Sequence, residues 1–519
     1  MLSDTTPPQG SISINNGEAI THSTNVSLNL SATDSGSGIE GMRFRNQNEN
    51  WAPWQLYIQS ASWTLPAGNG NKEVDVQFRD KAGNISDIYS ANIQYVGPKD
   101  YYWTWYDSKS MQNWVLMANP AGASSNLGFD LSIAGNGQSL TDLGIGAGKI
   151  PPGKTLTPIY PGVMGGPVRV TSETGDKAIV SQRSLMGNSF EEVLGTDAEK
   201  LSDHFYWTWY DQQSPGMTNW VLVANPSSTE KVHAVISFAN LSDGQLVKAE
   251  SDIDPGKNWT PTFPGKMGGP VEVKAYLAGG SWPNDKRNVI ASQRVLSDFG
   301  TAFNEVPGIP AGDLTSDYLW TWYDMQSPGS RNWVLIANTL QTDDVYYQIR
   351  IAGQAVANGK LAHGEKATPT FPGKIGGPVE VKSCSAPLDT YGGCSGTTPI
   401  VIASQRTLWG PSFEEVPGFP SKALASDYHW TWYDMKSTGS ANWVLVANLN
   451  DTPVTFQVKI GGVPQPCGSC TIAAHDRITP VFPGTMNGPV EVTASAPVMA
   501  SQRVLWNGYF NEVLGTVLS

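Results

Sequence analysis

A phosphate-binding loop is the first chemistry that the sequence suggests. Residues 148–155 read GKIPPGKT and fit the pattern G-x-x-x-x-G-K-[ST]. Such a loop holds phosphate with successive backbone N–H groups and opens a helix. Pro151 and Pro152 have no N–H, and the LTPIYPG stretch that follows Thr155 opposes a helix. We therefore interpret the segment as a turn before a strand and expect no nucleotide or other cofactor.

Paired carboxylates are a second possible source of chemistry, because two of them can share acid and base roles. Glu191-Glu192 and Glu414-Glu415 are such pairs, but equivalent stretches carry Asn304 or Asn511 in the first position. Adjacent side chains of a strand point to opposite faces, so neither pair can act on one bond. The six His residues show no metal or triad spacing. We expect neither catalysis nor a metal site.

The four cysteines form two close pairs in loops rich in Gly and Ser. Local disulfides in an oxidising compartment are the interpretation that we prefer. A zinc site or a redox-active C-x-x-C is the alternative for the second pair. A redox motif opens a helix, whereas CGSC runs into TIAAHDRITP, where Pro480 and β-branched residues oppose one. The pairs are Cys384 with Cys394 and Cys467 with Cys470.

An aromatic motif, WTWYD, occurs four times and is the best candidate for binding. On a strand its two Trp side chains share one face while Thr and Tyr share the other. One face can fill a core, and the other can meet a loop, a domain or the flat side of a sugar. We favour packing over sugar binding, and we expect Asp107 and its counterparts to cap a turn rather than bind calcium. The candidate ligand-binding aromatics are Trp103, Trp105, Trp207, Trp209, Trp320, Trp322, Trp430 and Trp432.

The end of each copy predicts a hairpin that sets an Arg opposite a Glu. Asn507-Gly508 is the preferred dipeptide of a two-residue type I′ turn, and it places Arg503 opposite Glu512. Corresponding turns align the other copies, the second through a four-residue loop. We interpret these pairs as scaffold, worth about 0.2 to 1 kcal/mol each if exposed. The other three pairs are Arg183 with Glu192, Arg294 with Glu305 and Arg406 with Glu415.

Several domains must position these motifs, because 519 residues exceed the roughly 250 to 300 at which single cores stop growing. The 54 Gly, 36 Pro and 15% charged residues suit short strands and tight turns. A net charge of −13 without a basic cluster argues against a nucleic-acid partner. No stretch approaches the roughly 18 apolar residues of a membrane span, and no secretion leader is recognisable in this sequence.

Each long copy contains about seven strand-length segments, which predicts a β-sandwich. We therefore predict an all-β chain, a tandem array of five β-sandwich domains of immunoglobulin-like type. Brief, similar linkers predict that the five form a rod. Insertions such as the loop around Cys384 and Cys394 are either recognition surfaces or neutral variation. The predicted domains are 1–98, immunoglobulin-like, and four Trp-rich repeats at 99–197, 198–308, 309–418 and 419–519.

The first domain resembles a known kind of module. Residues 4–8 read DTTPP, 34–38 read DSGSG and 78–84 read FRDKAGN. These stretches resemble the immunoglobulin-like modules of bacterial cell-surface and secreted proteins. The Trp-rich copies are similar to repeats of bacterial surface and cell-wall proteins, sometimes beside wall hydrolases. The resemblance implies a secreted or cell-surface location and brings no defined activity.

Two functions are compatible with these features. The first is a non-enzymatic extracellular structural or adhesive protein, a subunit of a bacterial surface fibre or layer whose partners are other copies of itself. The second is an array of cell-wall or polysaccharide-binding modules that use the WTWYD aromatic faces. An enzyme would need a catalytic constellation that the sequence does not offer.

Overall fold

Strands dominate the computed structural model, and within the residues that it describes helix is limited to short 3-10 turns. The prediction of an all-β array of sandwich domains is confirmed. Among the described residues, no helix is long and apolar enough to cross a membrane. The structure describes residues 4–133, 148–173, 178–339, 343–467 and 470–518.

The chain divides into two compact units, and the first consists of residues 1–99 with 171–177. Its N-terminal part packs a three-stranded sheet and a five-stranded sheet around one apolar core. Period-2 alternation explains the core, since Val26, Leu28 and Leu30 of one strand all face inward. The strands are Gln9–Ile14, Ile20–Thr21, Asn25–Thr33, Ile39–Asn46, Gln55–Leu56, Ser60–Thr64, Gly70–Asp80 and Tyr89–Tyr95, with a 3-10 turn at Asn15–Gly17.

The second unit consists of residues 100–170 and 178–519 and holds the four Trp-rich repeats. In the first three repeats a five-stranded sheet packs on a four-stranded sheet, with the same strand order each time. In the fourth, one long strand, Val490–Trp506, runs through both sheets. Each repeat has its own apolar core. The domain boundaries given above stay a prediction.

Strands of the first two repeats have corresponding places in the sandwich. The first repeat has Lys99–Trp103, Tyr106–Asp107, Gln112–Asn119, Leu127–Ile133, Gly148–Ile150, Lys154–Leu156, Met164–Gly165, Val168–Ser172, Ile179–Met186, Ser189–Leu194 and Thr196–Asp197. The second has His204–Trp207, Tyr210–Asp211, Thr218–Ala224, Val232–Ala239, Leu246–Ile253, Asn258–Trp259, Met267–Gly268, Val271–Leu277, Ile290–Ser297, Ala302–Pro307 and Ile309–Pro310.

The last two repeats follow the same plan. The third has Asp317–Trp320, Tyr323–Asp324, Ser330–Ala337, Val345–Ile351, Gln354–Leu361, Lys366–Ala367, Ile375–Gly376, Val379–Cys384, Ile402–Trp409, Ser412–Pro417 and Phe419–Pro420. The fourth has Ala425–Trp430, Tyr433–Asp434, Ser440–Ala447, Val454–Ile460, Val463–Pro464, Thr471–Ile472, Arg477–Ile478, Met486–Asn487, Val490–Trp506 and Tyr509–Leu514. The 3-10 turns are Ala198–Lys200, Asp298–Gly300, Ala311–Asp313 and Ser421–Ala423.

The last hairpin of each repeat has the register that its turn residues predict. In the fourth repeat Trp506 lies opposite Tyr509 and Arg503 opposite Glu512. Asn507 and Gly508 both have positive φ, at 49° and 88°, as a type I′ turn requires. The turn therefore fixes which face of the hairpin each charged side chain occupies.

The four repeats of the second unit close into a ring, so the predicted rod is wrong for them. The final hairpin strand of each repeat contacts its counterparts in both neighbouring repeats, and the fourth contacts the first. Similar linkers repeat one junction geometry, and a repeated head-to-tail contact closes a ring when its rotation permits. These final strands are Ser189–Leu194, Ala302–Pro307, Ser412–Pro417 and Tyr509–Leu514.

Candidate functional site

The WTWYD motif is not one continuous strand. In the first repeat, Lys99–Trp103 ends at the first Trp, and Tyr106–Asp107 forms a separate short strand. Simple alternation is therefore wrong for the motif, because Trp103 and Tyr106 both enter the core of their own repeat. Thr104 is also buried, whereas Trp105 stays half-buried. The other three copies have the same break.

The first Trp of each motif is a core residue. Trp103 is 3% exposed, and its indole N–H donates to the Val193 carbonyl at 3.2 Å. Its three counterparts donate in the same way to a Val of their own repeat. Half of the candidate ligand-binding aromatics must therefore be corrected, because enclosed side chains cannot contact a ligand. These core residues are Trp103, Trp207, Trp320 and Trp430.

The Asp of each motif caps the turn that follows, as predicted. Asp107 Oδ1 accepts the backbone N–H groups of Lys109 and Ser110, both at 2.9 Å. Burial alone would raise the pKa of Asp107, but these hydrogen bonds and that of the Ser110 hydroxyl lower it. Asp211, Asp324 and Asp434 accept equivalent bonds.

The Thr of each motif locks its repeat to the next one around the ring. Thr104 Oγ1 lies 2.8 Å from Ser292 Oγ and donates to Glu305 Oε1 at 3.0 Å. Ser292 donates to the same carboxylate oxygen. Thr431 of the fourth repeat makes the equivalent contact with the first repeat, and so closes the ring. The other locks join Thr208 to Glu415, Thr321 to Glu512 and Thr431 to Glu192.

The paired Arg residues complete these locks. Arg294 Nη2 lies 2.6 Å from Glu305 Oε2, and the Glu side chain is only 5% exposed. The pairs are therefore part of a buried network, not the exposed scaffold pairs whose contribution we estimated from the sequence. All four are present: Arg183 with Glu192, Arg294 with Glu305, Arg406 with Glu415 and Arg503 with Glu512.

The preceding residue on each final strand faces the centre of the ring. Asn304 Nδ2 donates to Glu191 Oε1 and to Glu414 Oε2, each at 3.2 Å. Asn511 Nδ2 donates to Glu414 Oε1 at 3.2 Å. Both carboxyl groups are 2% exposed, and burial raises their pKa well above the ordinary Glu value. Glu191 and Glu192 thus occupy opposite faces of one strand.

In three of the four motifs the second Trp is anchored near the junction with the next repeat. Gln502 Nε2 donates to the Trp432 carbonyl at 2.9 Å. Gln182 and Gln405 hold Trp105 and Trp322 in the same way. We did not predict this role from the sequence, although the recurring tripeptide SQR places a Gln directly before each paired Arg.

Clefts lie between consecutive repeats of the ring, among them those at the 4–1, 2–3 and 3–4 junctions. Each has the second Trp of WTWYD on one wall and the Trp of the next repeat's NWVL strand on the other. We name them by the repeats that they join. Cleft 4–1 contains Trp432 and Trp114 in about 280 Å³, cleft 2–3 Trp209 and Trp333 in about 710 Å³, and cleft 3–4 Trp322 and Trp443 in about 290 Å³.

Cleft 4–1 combines aromatic surfaces with polar groups. Trp506, at the tip of the final hairpin, adds a third indole to Trp432 and Trp114. Asp434 and Arg183 line the same space, so carboxylate and guanidinium groups stand beside the rings. Flat rings can pack on the C–H face of a sugar, and such polar groups can bind its hydroxyls.

One position beside the second Trp changes chemically from repeat to repeat. It lies in the following repeat, in the short strand just before the Thr-Pro pair. In cleft 4–1, Thr155 Oγ1 donates to the Thr431 carbonyl at 2.8 Å. In cleft 2–3, Lys366 Nζ lies 4.5 Å from the centre of the Trp209 ring. The four residues are Thr155, Asn258, Lys366 and Arg477.

Two further groupings lie outside these clefts. The structure contains both predicted disulfides, Cys384–Cys394 and Cys467–Cys470. In the first unit, carboxylate oxygens of Asp4, Asp34 and Asp80 lie within 4.8 Å of one another. Sequence spacing gave no signal for this cluster. Each of the three accepts backbone N–H groups of nearby loops, and we assign no ligand to them.

Comparisons with known proteins give few similarities. No protein-family model and no curated protein matches the chain. Among solved structures, an adhesion-protein tetra-tandem repeat from an extending region is 10% identical over 79% of this chain and 97% of its own, with a TM-score of 0.12. SGBP-B of the Bacteroides ovatus mixed-linkage glucan utilization locus, in complex with a mixed-linkage heptasaccharide, is 9% identical over 73% and 100%, with a TM-score of 0.17.

A third similar structure is the Streptomyces avermitilis α-L-rhamnosidase complexed with L-rhamnose. It is 8% identical over 76% of this chain, with a TM-score of 0.15, and the match spans 57% of the rhamnosidase. Because all three TM-scores lie far below 0.5, the functional argument comes from the residues of the ring.

Proposed function

We propose that this chain is a non-enzymatic, extracellular adhesive protein that binds polysaccharide in the clefts between its Trp-rich repeats. The observation that carries this proposal is cleft 4–1, where three half-buried indoles surround one space. A Trp that only stabilises the fold is normally enclosed, as the first Trp of each motif is. The second Trp instead leaves part of its ring in a groove.

A ring with several similar clefts suits a long, repetitive ligand. Each cleft binds weakly by itself, but clefts joined on one rigid scaffold raise the effective concentration of the next sugar segment. Multivalency of this kind explains why one chain would carry four copies of the motif. Polysaccharide, which repeats along its length, is the ligand class that uses such an arrangement best.

The alternative role, a subunit of a surface fibre or layer, is less well supported. A fibre built through these repeats would need free lock surfaces to join one copy to the next. In the ring, the Thr431 lock already engages the first repeat. The repeats therefore make their head-to-tail contact within one chain, so the same surfaces cannot join one copy to the next.

The test is co-sedimentation of the purified protein with insoluble cellulose, chitin and peptidoglycan. The wild type should sediment with at least one of them, and Trp432→Ala should weaken that binding about 30-fold, the loss of about 2 kcal/mol typical of a buried aromatic anchor. Binding isotherms and a urea unfolding curve should be recorded for each variant, so that loss of binding is separated from loss of folding.

Leu246→Ala is the control, because Leu246 is 68% exposed and lies outside the three clefts. It should bind as the wild type does. Wild-type protein that stays in the supernatant with all three materials contradicts the proposal, and negative-stain images of filaments would then support the fibre role.

A further inference from the structure

We propose that cleft 3–4 selects acidic sugars, with Arg477 binding the carboxylate of a uronic acid, whereas cleft 4–1 selects neutral sugars. This inference rests on the proposed polysaccharide binding and assigns a ligand class to each cleft. It depends on one residue that differs between two otherwise similar sites.

The two clefts share most of their lining. Cleft 3–4 places Trp322, Trp409 and Trp443 where cleft 4–1 places Trp432, Trp506 and Trp114. Each also contains a lock Arg stacked on a Phe ring, at 5.1 Å in cleft 3–4 and 5.0 Å in cleft 4–1. The two clefts therefore share one aromatic framework.

The difference is the residue beside the second Trp. In cleft 3–4 the guanidinium of Arg477 lies over the Trp322 ring. In cleft 4–1 the equivalent Thr155 is short and neutral, and no Lys or Arg of the described residues lies over Trp432. One face of Trp322 is thus covered by a cation, whereas Trp432 has no such cover.

Arg477 is a cation whose nearby anions act on its charge only at a distance. Burial and Arg503 lower its pKa, and the charges of Asp476 and then Asp324 raise it by less. Among the described residues it forms no ion pair, and its Nε is buried without a hydrogen-bond partner. Asp324 lines the same cleft, but its Oδ1 accepts the N–H groups of Gln326 and Ser327. The second guanidinium there, Arg503, is paired with Glu512. Of the two guanidinium groups in this cleft, that of Arg477 is the one with no direct ion pair in the part of the chain that the structure describes.

Its surroundings favour an incoming carboxylate. Burial, and then repulsion by Arg503, lower the pKa of Arg477 to about 10, so it stays protonated at neutral pH. Stacking on an indole uses the flat face of a guanidinium and leaves its N–H edge for a planar carboxylate. A cation that has lost water gains most from a charge-assisted hydrogen bond. A neutral sugar would leave that group unsatisfied.

Lys366 is the other cation beside a second Trp, and it is a weaker candidate. Burial lowers its pKa, but its Nζ already donates to the Gly269 carbonyl at 3.1 Å. Cleft 2–3 also has Ser297 at the hairpin end, where clefts 3–4 and 4–1 have Trp409 and Trp506. It therefore offers one indole fewer.

The test compares polygalacturonate with its fully methyl-esterified form, which has the same backbone without the charge. Binding of wild type, Arg477→Thr and Thr155→Arg is measured by isothermal titration calorimetry. Arg477→Thr should weaken binding to polygalacturonate about tenfold or more and leave the ester unchanged. Thr155→Arg should strengthen binding to polygalacturonate, because it gives cleft 4–1 the residue of cleft 3–4.

Arg287→Thr is the charge-matched control, since Arg287 pairs with Glu230 outside the three clefts. Equal effects of Arg477→Thr and Arg287→Thr on polygalacturonate would mean a general charge effect and would overturn the inference. The inference would also be overturned if Arg477→Thr folded normally but lost binding to both polygalacturonate and its methyl ester. If the Trp432→Ala effect is seen on a neutral polysaccharide while Arg477→Thr changes nothing, polysaccharide binding stands and the acidic selection fails. Absence of binding to every polysaccharide overturns both.

Discussion

The junctions of the ring and its clefts are built from the same WTWYD motif. The junction residues are the same in all four repeats, whereas the residue beside the second Trp in each cleft is different every time. At every junction a Thr meets a Ser and a Glu of the next repeat, and that Glu pairs with an Arg. In the clefts, the residue beside the second Trp is Thr, Asn, Lys or Arg. One motif therefore supports both a fixed contact and a variable one.

Burial explains the difference. A lock carboxylate such as Glu415 is 5% exposed and satisfied by a hydroxyl pair on one oxygen and Arg406 on the other. Any change there leaves a charge without a partner in a dry site. The cleft position is only partly buried in all four repeats, so a change of side chain there disturbs the fold less than a change at a lock does.

The largest predicted effect is the loss of a lock carboxylate. Glu415→Ala should lower the free energy of unfolding by about 3 to 5 kcal/mol, because it leaves the largely buried guanidinium of Arg406 without its ion-pair partner. Urea unfolding followed by Trp fluorescence measures this. Asp344→Ala, which breaks the half-exposed pair with Lys360, is the control and should leave the urea midpoint unchanged. Equal midpoints for the two variants would show that the locks do not hold the ring.

A smaller effect is expected from the hydroxyl of one lock. Thr431→Val keeps the side-chain shape and removes the donor to Glu192, so unfolding should become easier by about 1 to 3 kcal/mol. Thr321→Val removes the equivalent donor to Glu512 at the third junction and should have an effect of the same size. A costly Thr321→Val beside a harmless Thr431→Val would mean that the fourth and first repeats do not meet in solution.

Local features of this molecule could be predicted from the sequence because local chemistry sets them. The type I′ turn at Asn507-Gly508 fixes the hairpin register, and hence the pairing of Arg503 with Glu512. The Asp of each motif caps its turn through bonds that reach only two or three residues along the chain. Neither feature depends on the neighbouring repeats.

The roles of the two Trp residues could not be predicted, because a distant contact interrupts the strand. Gly166 packs so closely against the backbone of Thr104 and Trp105 that a Cβ would not fit there. Ring closure was also beyond the sequence. The Thr104 to Glu305 bond joins residues 201 positions apart, and closure depends on the rotation accumulated over four junctions. That rotation cannot be predicted from the residues of any single motif.

The smallest predicted effect concerns the centre of the ring, where Glu191 meets Glu414. Burial, then the Glu414 charge and more weakly Glu305, raise the pKa of Glu191, while the amide of Asn304 opposes the shift. Above the ordinary Glu value of 4.5, the unfolded chain therefore releases this proton more readily than the folded ring does. Stability should accordingly fall as the pH rises from 5 to 8.

Glu191→Gln removes the titrating group while keeping the side-chain shape. The variant should therefore unfold with nearly the wild-type free energy at pH 5, and its stability should fall less steeply than that of the wild type as the pH rises. The difference in slope from the wild type is bounded by one proton, about 1.4 kcal/mol per pH unit. Urea midpoints at pH 5 and 8 measure it. Asp317, whose burial raises its pKa to about 6, contributes a slope of the same sign to both proteins and cancels in the comparison. An unchanged slope would mean that Glu191 is ionised in the folded ring, which would contradict the raised pKa that its burial predicts.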